Sequence, residues 1–396
     1  MNGLLGRGAA AGGVGVGGAV MERRRKGSRR WLAPWKDSRI KPVLYHVISR
    51  VVDRRLVFHR DEKEHFRKLM RMMERFSGCR VLAYAVMGNH FHLLLEVPPR
   101  PESGLDARSL DRGLFAQRLA GIYKPGVVAE ILKSLDTAIA ATDGSEESRA
   151  RVTEEIAGPY LIRMHDLSEF MNGLLKRFTR WFNRQKKRTG TLWEERFKSV
   201  IVENGIPART VAAYIDLNPV RAGMAADPAD YRWSSYGEAM GAGARTVAGK
   251  AARGGLVRAL LCSDGVKDEA ERWSEVSGRY RLLLRQAMAR KGRSAVVRKG
   301  DEVGAAAGPA VAGFGSSADA AEVKAGFAAE MGFAGVLMRR VRYFTAGAVI
   351  GSRETVEHCF EAARYRFGPK RKTGARRMRG AAKDAAGVIW ALRDSA

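Results

Sequence analysis

Along residues 40–240 the apolar positions recur with two periods, one of a strand and one of a helix. Val43-Leu-Tyr-His-Val-Ile-Ser-Arg50 reads as a strand, and a lone histidine inside it, His46, reads as structural. Asp61 offers an N-cap to a helix in which Phe66, Leu69, Met70, Met73 and Phe76 form a stripe of ordinary core. Two strand-like runs follow, Val81–Met87 and His90–Val97, joined by Gly88-Asn89, a pair suited to the hairpin turns that need positive φ. The period of two puts His90, His92, Leu94 and Glu96 on one face of the second run, and Phe91, Leu93, Leu95 and Val97 on the other.

Pro98, Pro99 and Pro101 end that strand, and residues 98–160 form a mixed-charge, partly helical insertion with no assignable chemistry. Asp166-Leu-Ser-Glu169 opens the next helix like a capping box. Its stripe is Leu167, Phe170, Met171, Leu174, Leu175, Phe178, Trp181 and Phe182, and Thr189-Gly190 ends it. A strand over Ser199–Glu203 and a short helix over about Ala208–Leu217 follow, with Pro219 expected to close the helix. The order β-α-β-β, long helix, strand, helix predicts an antiparallel α+β sandwich. Three regions result: a disordered basic leader over 1–36, a domain over 37–240 carrying the insertion, and a basic, mainly helical C-terminal region over 241–396 that is a candidate for nucleic-acid binding. Met21 is an alternative start.

Charge narrows the class of partner. The chain of 396 residues has 70 Lys+Arg against 42 Asp+Glu, a formal net charge of +28 and a pI of about 10.5, which favours a polyanion, with nucleic acid the usual one. The cations cluster on the long helix, as Lys176, Arg177, Arg180, Arg184, Lys186, Lys187 and Arg188, and again in the run 370–377. They read either as a solvated face or as a surface for phosphates. Cys79, Cys262 and Cys359 are scattered, so neither a disulfide framework nor a structural zinc site is expected, which fits a reducing cytoplasm. No apolar run is long enough to span a membrane.

Two imidazoles on one strand face can floor a divalent metal, although a structural reading stands ahead of that when the pair is taken alone. Tyr214 at a helix end reads by itself as core with a wet hydroxyl. Asn218, four residues on, shares its helical face or is a simple C-terminal cap.

In order along the chain, Met87-Gly-Asn-His-Phe-His92, Phe182-Asn183, Gly190-Thr-Leu-Trp-Glu-Glu-Arg-Phe-Lys-Ser199, Tyr214-Ile-Asp-Leu-Asn-Pro-Val-Arg-Ala-Gly223 and Asp230-Tyr-Arg-Trp-Ser-Ser-Tyr236 resemble the single-tyrosine HUH transposases, specifically their REP-associated branch. Gly88 stands where that pattern has a turn proline, and Glu194-Glu195 where it has a commonly uncharged pair. The resemblance covers roughly residues 40–240. It implies a ferredoxin-like antiparallel sheet with helices on one face. It also implies metal-dependent cleavage and transfer of single-stranded DNA hairpins through a 5′-phosphotyrosine. In that scheme Tyr214 is the nucleophile, and His90, His92 and Asn218 hold Mg²⁺ or Mn²⁺. Lys176, Arg177, Arg180, Arg184, Lys187, Arg196, Lys198 and Arg221 contact DNA, as a monomer or a homodimer. Glu96 is an accessory group, and Trp181, Trp193 and Trp233 are stacking candidates that are more often core. The competing readings are a nucleic-acid-binding protein without chemistry and a metal-dependent nuclease that uses water.

Overall fold

A computed structural model describes residues 30–99, 104–241, 243–261, 272–296, 337, 342–378 and 389–393. Strand β1 (Val43–Arg50) is the centre of its first half. It pairs antiparallel with β3 (His90–Val97), from Val43 opposite Val97 to Arg50 opposite His90, and with β4 (Lys198–Val202) on its other side. β2 (Arg80–Val86) pairs antiparallel with β3. Helix α1 (Arg60–Ser77) links β1 to β2. Between β3 and β4 lie α2 (Arg112–Leu119), α3 (Pro125–Ala140), α4 (Glu146–Leu161) and α5 (Leu167–Gln185). The insertion is therefore α2–α4, and Phe115 and Leu119 of α2 join the core under α1.

After β4 come α6 (Ile206–Asp216), α7 (Asn218–Arg221), α8 (Ser235–Met240), α9 (Val247–Leu261) and α10 (Trp273–Val296). They are followed by α11 (Arg342–Ala346), β5 (Gly347–Gly351), α12 (Arg353–Ala362), β6 (Arg376–Arg377) and β7 (Trp390–Arg393). β5 pairs parallel with β4, so the sheet runs on to seven strands in the order β2-β3-β1-β4-β5-β7-β6. The region expected to be mainly helical thus also extends the sheet. Its signal was weak because these strands are short and partly Gly/Ala-rich.

Both faces of the sheet are covered, not one. Tyr45, Val47, Phe91, Leu93 and Leu95 pack against Phe66, Met70 and Phe76 of α1 and Phe170 and Phe178 of α5. On the other face Leu44, Ala83, Ala85, Leu94 and Val200 pack against α6, α9 and α10 through residues such as Val211, Leu256 and Leu284. Burying one such Leu or Phe stabilises the fold by about 1.5–3 kcal/mol, so each layer is a substantial core. Pairing of Arg258 on α9 with Glu96 of β3 (Arg258 Nη2 donates to Oε1 at 2.7 Å) anchors the second layer, and Glu96 has this structural role rather than an accessory one at the histidines.

Other sequence readings shift locally. Residues 30–36 pack: Trp31 and Ala33 are buried, the Ser199 hydroxyl donates to the Trp31 carbonyl at 2.8 Å, and Ala33 N–H donates to the Tyr45 hydroxyl at 3.1 Å. The rest of the leader, including Met21, lies outside the described residues. Helix α1 starts at Arg60 behind His59, so Asp61 is inside its first turn rather than capping it. Asp166 does cap α5, accepting from Glu169 N–H at 2.9 Å. Neither Gly88 nor Asn89 takes a positive φ. Their carbonyls accept from Phe58 and Val51 N–H groups, and these outside contacts set the turn in place of a free-standing hairpin geometry. Pro219 does not stop the helix; it sits in the first turn of α7, where its missing N–H costs nothing.

The segment 231–236 closes the β2 edge, which would otherwise expose unpaired backbone groups. Val86 N–H donates to the Trp233 carbonyl at 2.9 Å, the Tyr231 hydroxyl donates to the Val86 carbonyl at 2.6 Å, and Tyr84 N–H donates to Ser235 Oγ at 3.0 Å. Asp216 holds this clip to α6 and α10: it accepts from Ser235 Oγ at 2.7 Å, Tyr236 N–H at 3.0 Å and the Tyr280 hydroxyl at 2.7 Å. Burial pushes its carboxyl up from 3.8 to about 6 despite these bonds. Well below 3.8 the carboxyl is protonated folded and unfolded. Between 3.8 and about 6 the unfolded chain has released the proton while the folded chain keeps it, so stability falls across that window and levels off above it. Asp216→Asn keeps two acceptor contacts, and the Tyr280 hydroxyl can turn to accept the third. In thermal melts the variant is expected to match wild type near pH 4 and to gain on it up to pH 7, by at most about 3 kcal/mol. Parallel stability curves across that range would exclude Asp216 as the titrating group.

Candidate functional site

The β1–β3 register sets the site. Arg50 lies opposite His90, Ile48 opposite His92 and His46 opposite Leu94. Residues directly opposite in an antiparallel pair share a face. His46 and Arg50 therefore join His90 and His92 on the face that carries α6. The His46 and His92 rings stack at 5.2 Å with 22° between planes, and His46 Nε2 is 3.0 Å from His92 Nδ1. The His90 ring lies 5.1 Å from that of His92, and its Nδ1 is 2.7 Å from Asn89 Oδ1. His46 was missed because a strand read alone does not reveal its neighbours; the alternation Leu44, His46, Ile48, Arg50, laid beside β3, is the signal that finds it.

Tyr214 comes down onto this floor from α6. Its ring centroid is 6.0 Å from those of both His46 and His92, edge to face. Asn218 follows one helical turn later, and its Nδ2 donates to the Tyr214 carbonyl at 3.2 Å. The expected set of His90, His92, Tyr214 and Asn218 is thus gathered in one place, on helical i,i+4 spacing and strand i,i+2 spacing.

Two further residues hold the set shut. The Arg221 guanidinium lies 3.9 Å from the Tyr214 ring centroid, donates to Asn218 Oδ1 at 2.5 Å and to the Tyr214 carbonyl at 3.1 Å, and reaches the Leu337 carbonyl at 2.6 Å. Phe344 of α11 stacks on Tyr214 at 4.3 Å. Tyr214 is left 5% exposed, His92 2% and Asn218 8%, so the set is nearly closed to solvent in this arrangement. Nothing in the residues near Tyr214 signals Phe344, which lies far along the chain.

Burial makes the histidines neutral. It holds His90 down at about 4 and His46 at about 3, with Arg50 and Arg221 respectively adding to the effect, and it keeps His92 well below the usual range. Neutral nitrogen is what a metal requires, so His90 and His92 suit a divalent cation. The amide oxygen of Asn218 does not as it stands, because a guanidinium occupies it. Among the described residues no group of three or more His, Cys, Asp or Glu is arranged to hold an ion.

The basic residues divide. Lys176, Arg180, Arg184 and Lys187 are exposed and Arg177 half-buried, all on or just beyond α5, which packs on the sheet face away from the histidines. Lys198 is exposed and lies opposite Ile48, in the same row as His92. Exposed Arg196 stands beside it, and Glu194 N–H donates to the Arg50 carbonyl at 2.9 Å, so this loop borders the histidine end of the sheet. Arg221 lies inside the site. Trp193 packs among Phe58, Phe91 and Phe178, Trp181 stacks on His65 at 3.9 Å, and the Trp233 indole N–H donates to Glu64 at 3.1 Å. Among the described residues no helix is long and apolar enough to cross a membrane.

Neither a curated protein nor a solved structure matches the chain. Residues 40–103, which carry β1, α1, β2, β3 and the three histidines of the site but stop short of Tyr214, match the family model described as transposase IS200 like.

Proposed function

We propose that this protein cleaves and rejoins single-stranded DNA at hairpin-forming palindromic sequences, with Tyr214 as nucleophile. The observation that carries the reading is the meeting of Tyr214 and His92, ring to ring at 6.0 Å, from elements far apart in the chain. The IS200-like match over the histidine strands supports a DNA-cleaving transposase. The connectivity β1-α1-β2-β3-α5-β4 with spatial order β2-β3-β1-β4 supports a ferredoxin-like HUH frame.

In the proposed step the phenolic oxygen bonds to phosphorus and the bond to the 3′-oxygen breaks. The proton lost by the phenol is balanced by one gained at the 3′-oxygen. The 5′-phosphotyrosine keeps the phosphodiester energy, so the reverse attack rejoins strands without ATP. A phenol ordinarily titrates near 10 and is a weak nucleophile at neutral pH, so it needs help. His90 and His92 are the residues that would hold Mg²⁺ or Mn²⁺, with nitrogen donors favouring Mn²⁺, and Asn218 would join them once Arg221 releases its oxygen. Such an ion, when bound, stabilises charge on the non-bridging oxygens. Arg50, Arg196 and Lys198 border the approach to the histidines, and the exposed cations of α5 offer a second basic surface on the opposite side for the hairpin duplex.

A second reading, a binder without chemistry, draws on the burial of Tyr214 and the capture of Asn218 by Arg221. Incubation with a labelled single-stranded hairpin and Mn²⁺, followed by a denaturing gel and peptide mapping, separates the readings. A covalent band mapping to the Tyr214 peptide is the expected result. Cleavage without an adduct would point to water as nucleophile, and binding without either to the silent reading.

A further inference from the structure

We propose that His46 is a positioning residue: by accepting the Nδ1 proton of His92, it leaves His92 Nε2 as that ring's only basic atom. The contact itself is direct, Nε2 to Nδ1 at 3.0 Å, between two rings that are both almost fully buried. Two neutral imidazoles in such contact have two arrangements, because one nitrogen must donate and the other accept.

In the first arrangement His46 Nε2–H donates to His92 Nδ1. His92 then carries its proton on Nε2 and has no lone pair left for a ligand. His46 Nδ1 becomes a bare acceptor, fully buried, with no hydrogen-bond partner. In the second arrangement His92 Nδ1–H donates to His46 Nε2, and the His46 proton sits on Nδ1. Each arrangement makes the one hydrogen bond the pair can make, and only the second leaves His92 a lone pair, on Nε2, for a ligand. A ligating histidine commonly has its other ring nitrogen fixed by a partner in this way, and loss of the partner costs about 10–100-fold in metal affinity. The sheet register explains why β1 supplies the partner: His46 sits one strand over and one side-chain step along from His92, within diagonal reach.

The choice of the second arrangement rests on the proposed role of His92 as a ligand; the tautomer itself is a property of the free protein and is read without DNA. The test uses full-length protein labelled with ¹⁵N-histidine and long-range proton–nitrogen correlation spectra, with His92 assigned by comparison to His92→Gln. The expected wild-type pattern is a protonated Nδ1 and a bare Nε2. His46→Phe, which keeps a ring but has no acceptor, is expected to shift His92 toward the opposite tautomer and to weaken Mn²⁺ binding by about 10–100-fold in calorimetric titration. His46→Gln, whose amide oxygen can accept, is expected to restore most of both. Thermal melts confirm that each variant is folded at the assay temperature. A wild-type His92 with its proton on Nε2 overturns the proposal, as does a folded His46→Phe protein whose His92 tautomer is unchanged. A protein with the expected tautomer that forms no DNA adduct overturns the proposed reaction and leaves this inference standing.

Discussion

Tyr214→Phe is expected to abolish the covalent DNA adduct and to lower strand cleavage at least about 10⁴-fold, while hairpin binding and the fold survive. The substitution removes one oxygen and leaves the ring. That ring keeps its stack on Phe344 at 4.3 Å, its contact with the Arg221 guanidinium at 3.9 Å and its edge contacts with His46 and His92 at 6.0 Å. Stability should therefore change by no more than about 1–2 kcal/mol. The cations proposed to hold the DNA backbone, Arg196 and Lys198 among them, are untouched, so binding should keep its salt dependence. Single-turnover cleavage, gel shift and a thermal melt on the same preparation make the comparison. Cleavage at wild-type rate in the phenylalanine variant would remove Tyr214 from the chemistry and favour a water nucleophile.

The elements that build this site were unequally visible along the chain. Alternation in His90–Val97 set both the strand and the face its histidines share, because a period of two leaves no other choice. The i,i+4 spacing of Tyr214 and Asn218 likewise survived Pro219, since a proline in the first turn of a new helix does not break the path. The side of the sheet taken by α5 was implicit too: its Phe170 and Phe178 stripe needs an apolar floor, and the Phe91, Leu93, Leu95 face offers one without histidines. That choice carries the helix's cations away from the histidines, a consequence that charge counting alone misses.

What stayed hidden depended on contacts between segments distant in sequence. His46 needed the register of β1 against β3. Glu96 was bound to be on the histidine face, but its partner Arg258 lies on α9, where nothing local marks it. Arg221 was expected by resemblance to contact DNA; here it reaches Asn218, Tyr214 and the carbonyl of Leu337. The covering of the second face depends on Gly/Ala-rich sequence whose weak periodicity says little about where it packs.

Phe344→Ala is expected to accelerate DNA cleavage by roughly tenfold or more. Tyr214 and Asn218 are buried, with Phe344 stacked on the tyrosine; if α11 covers the proposed site, a scissile phosphate would reach it after α11 withdraws, and the rate would scale with the fraction of molecules that are open. The aromatic stack contributes about 0.5–1.5 kcal/mol to closure and burial of the phenyl ring about 1.5–3 kcal/mol. Losing both shifts the opening equilibrium by roughly 2–4 kcal/mol, and each 1.4 kcal/mol is about tenfold until the open form dominates. Truncating a fully buried phenylalanine also lowers overall stability by about 3–5 kcal/mol, so a melt must show both proteins folded at the assay temperature. Phe344→Leu is the companion: it keeps most of the apolar volume, gives up the stack, and should show a smaller acceleration in the same direction. Equal or slower cleavage in both folded variants would mean that α11 is part of the working site rather than a cover over it.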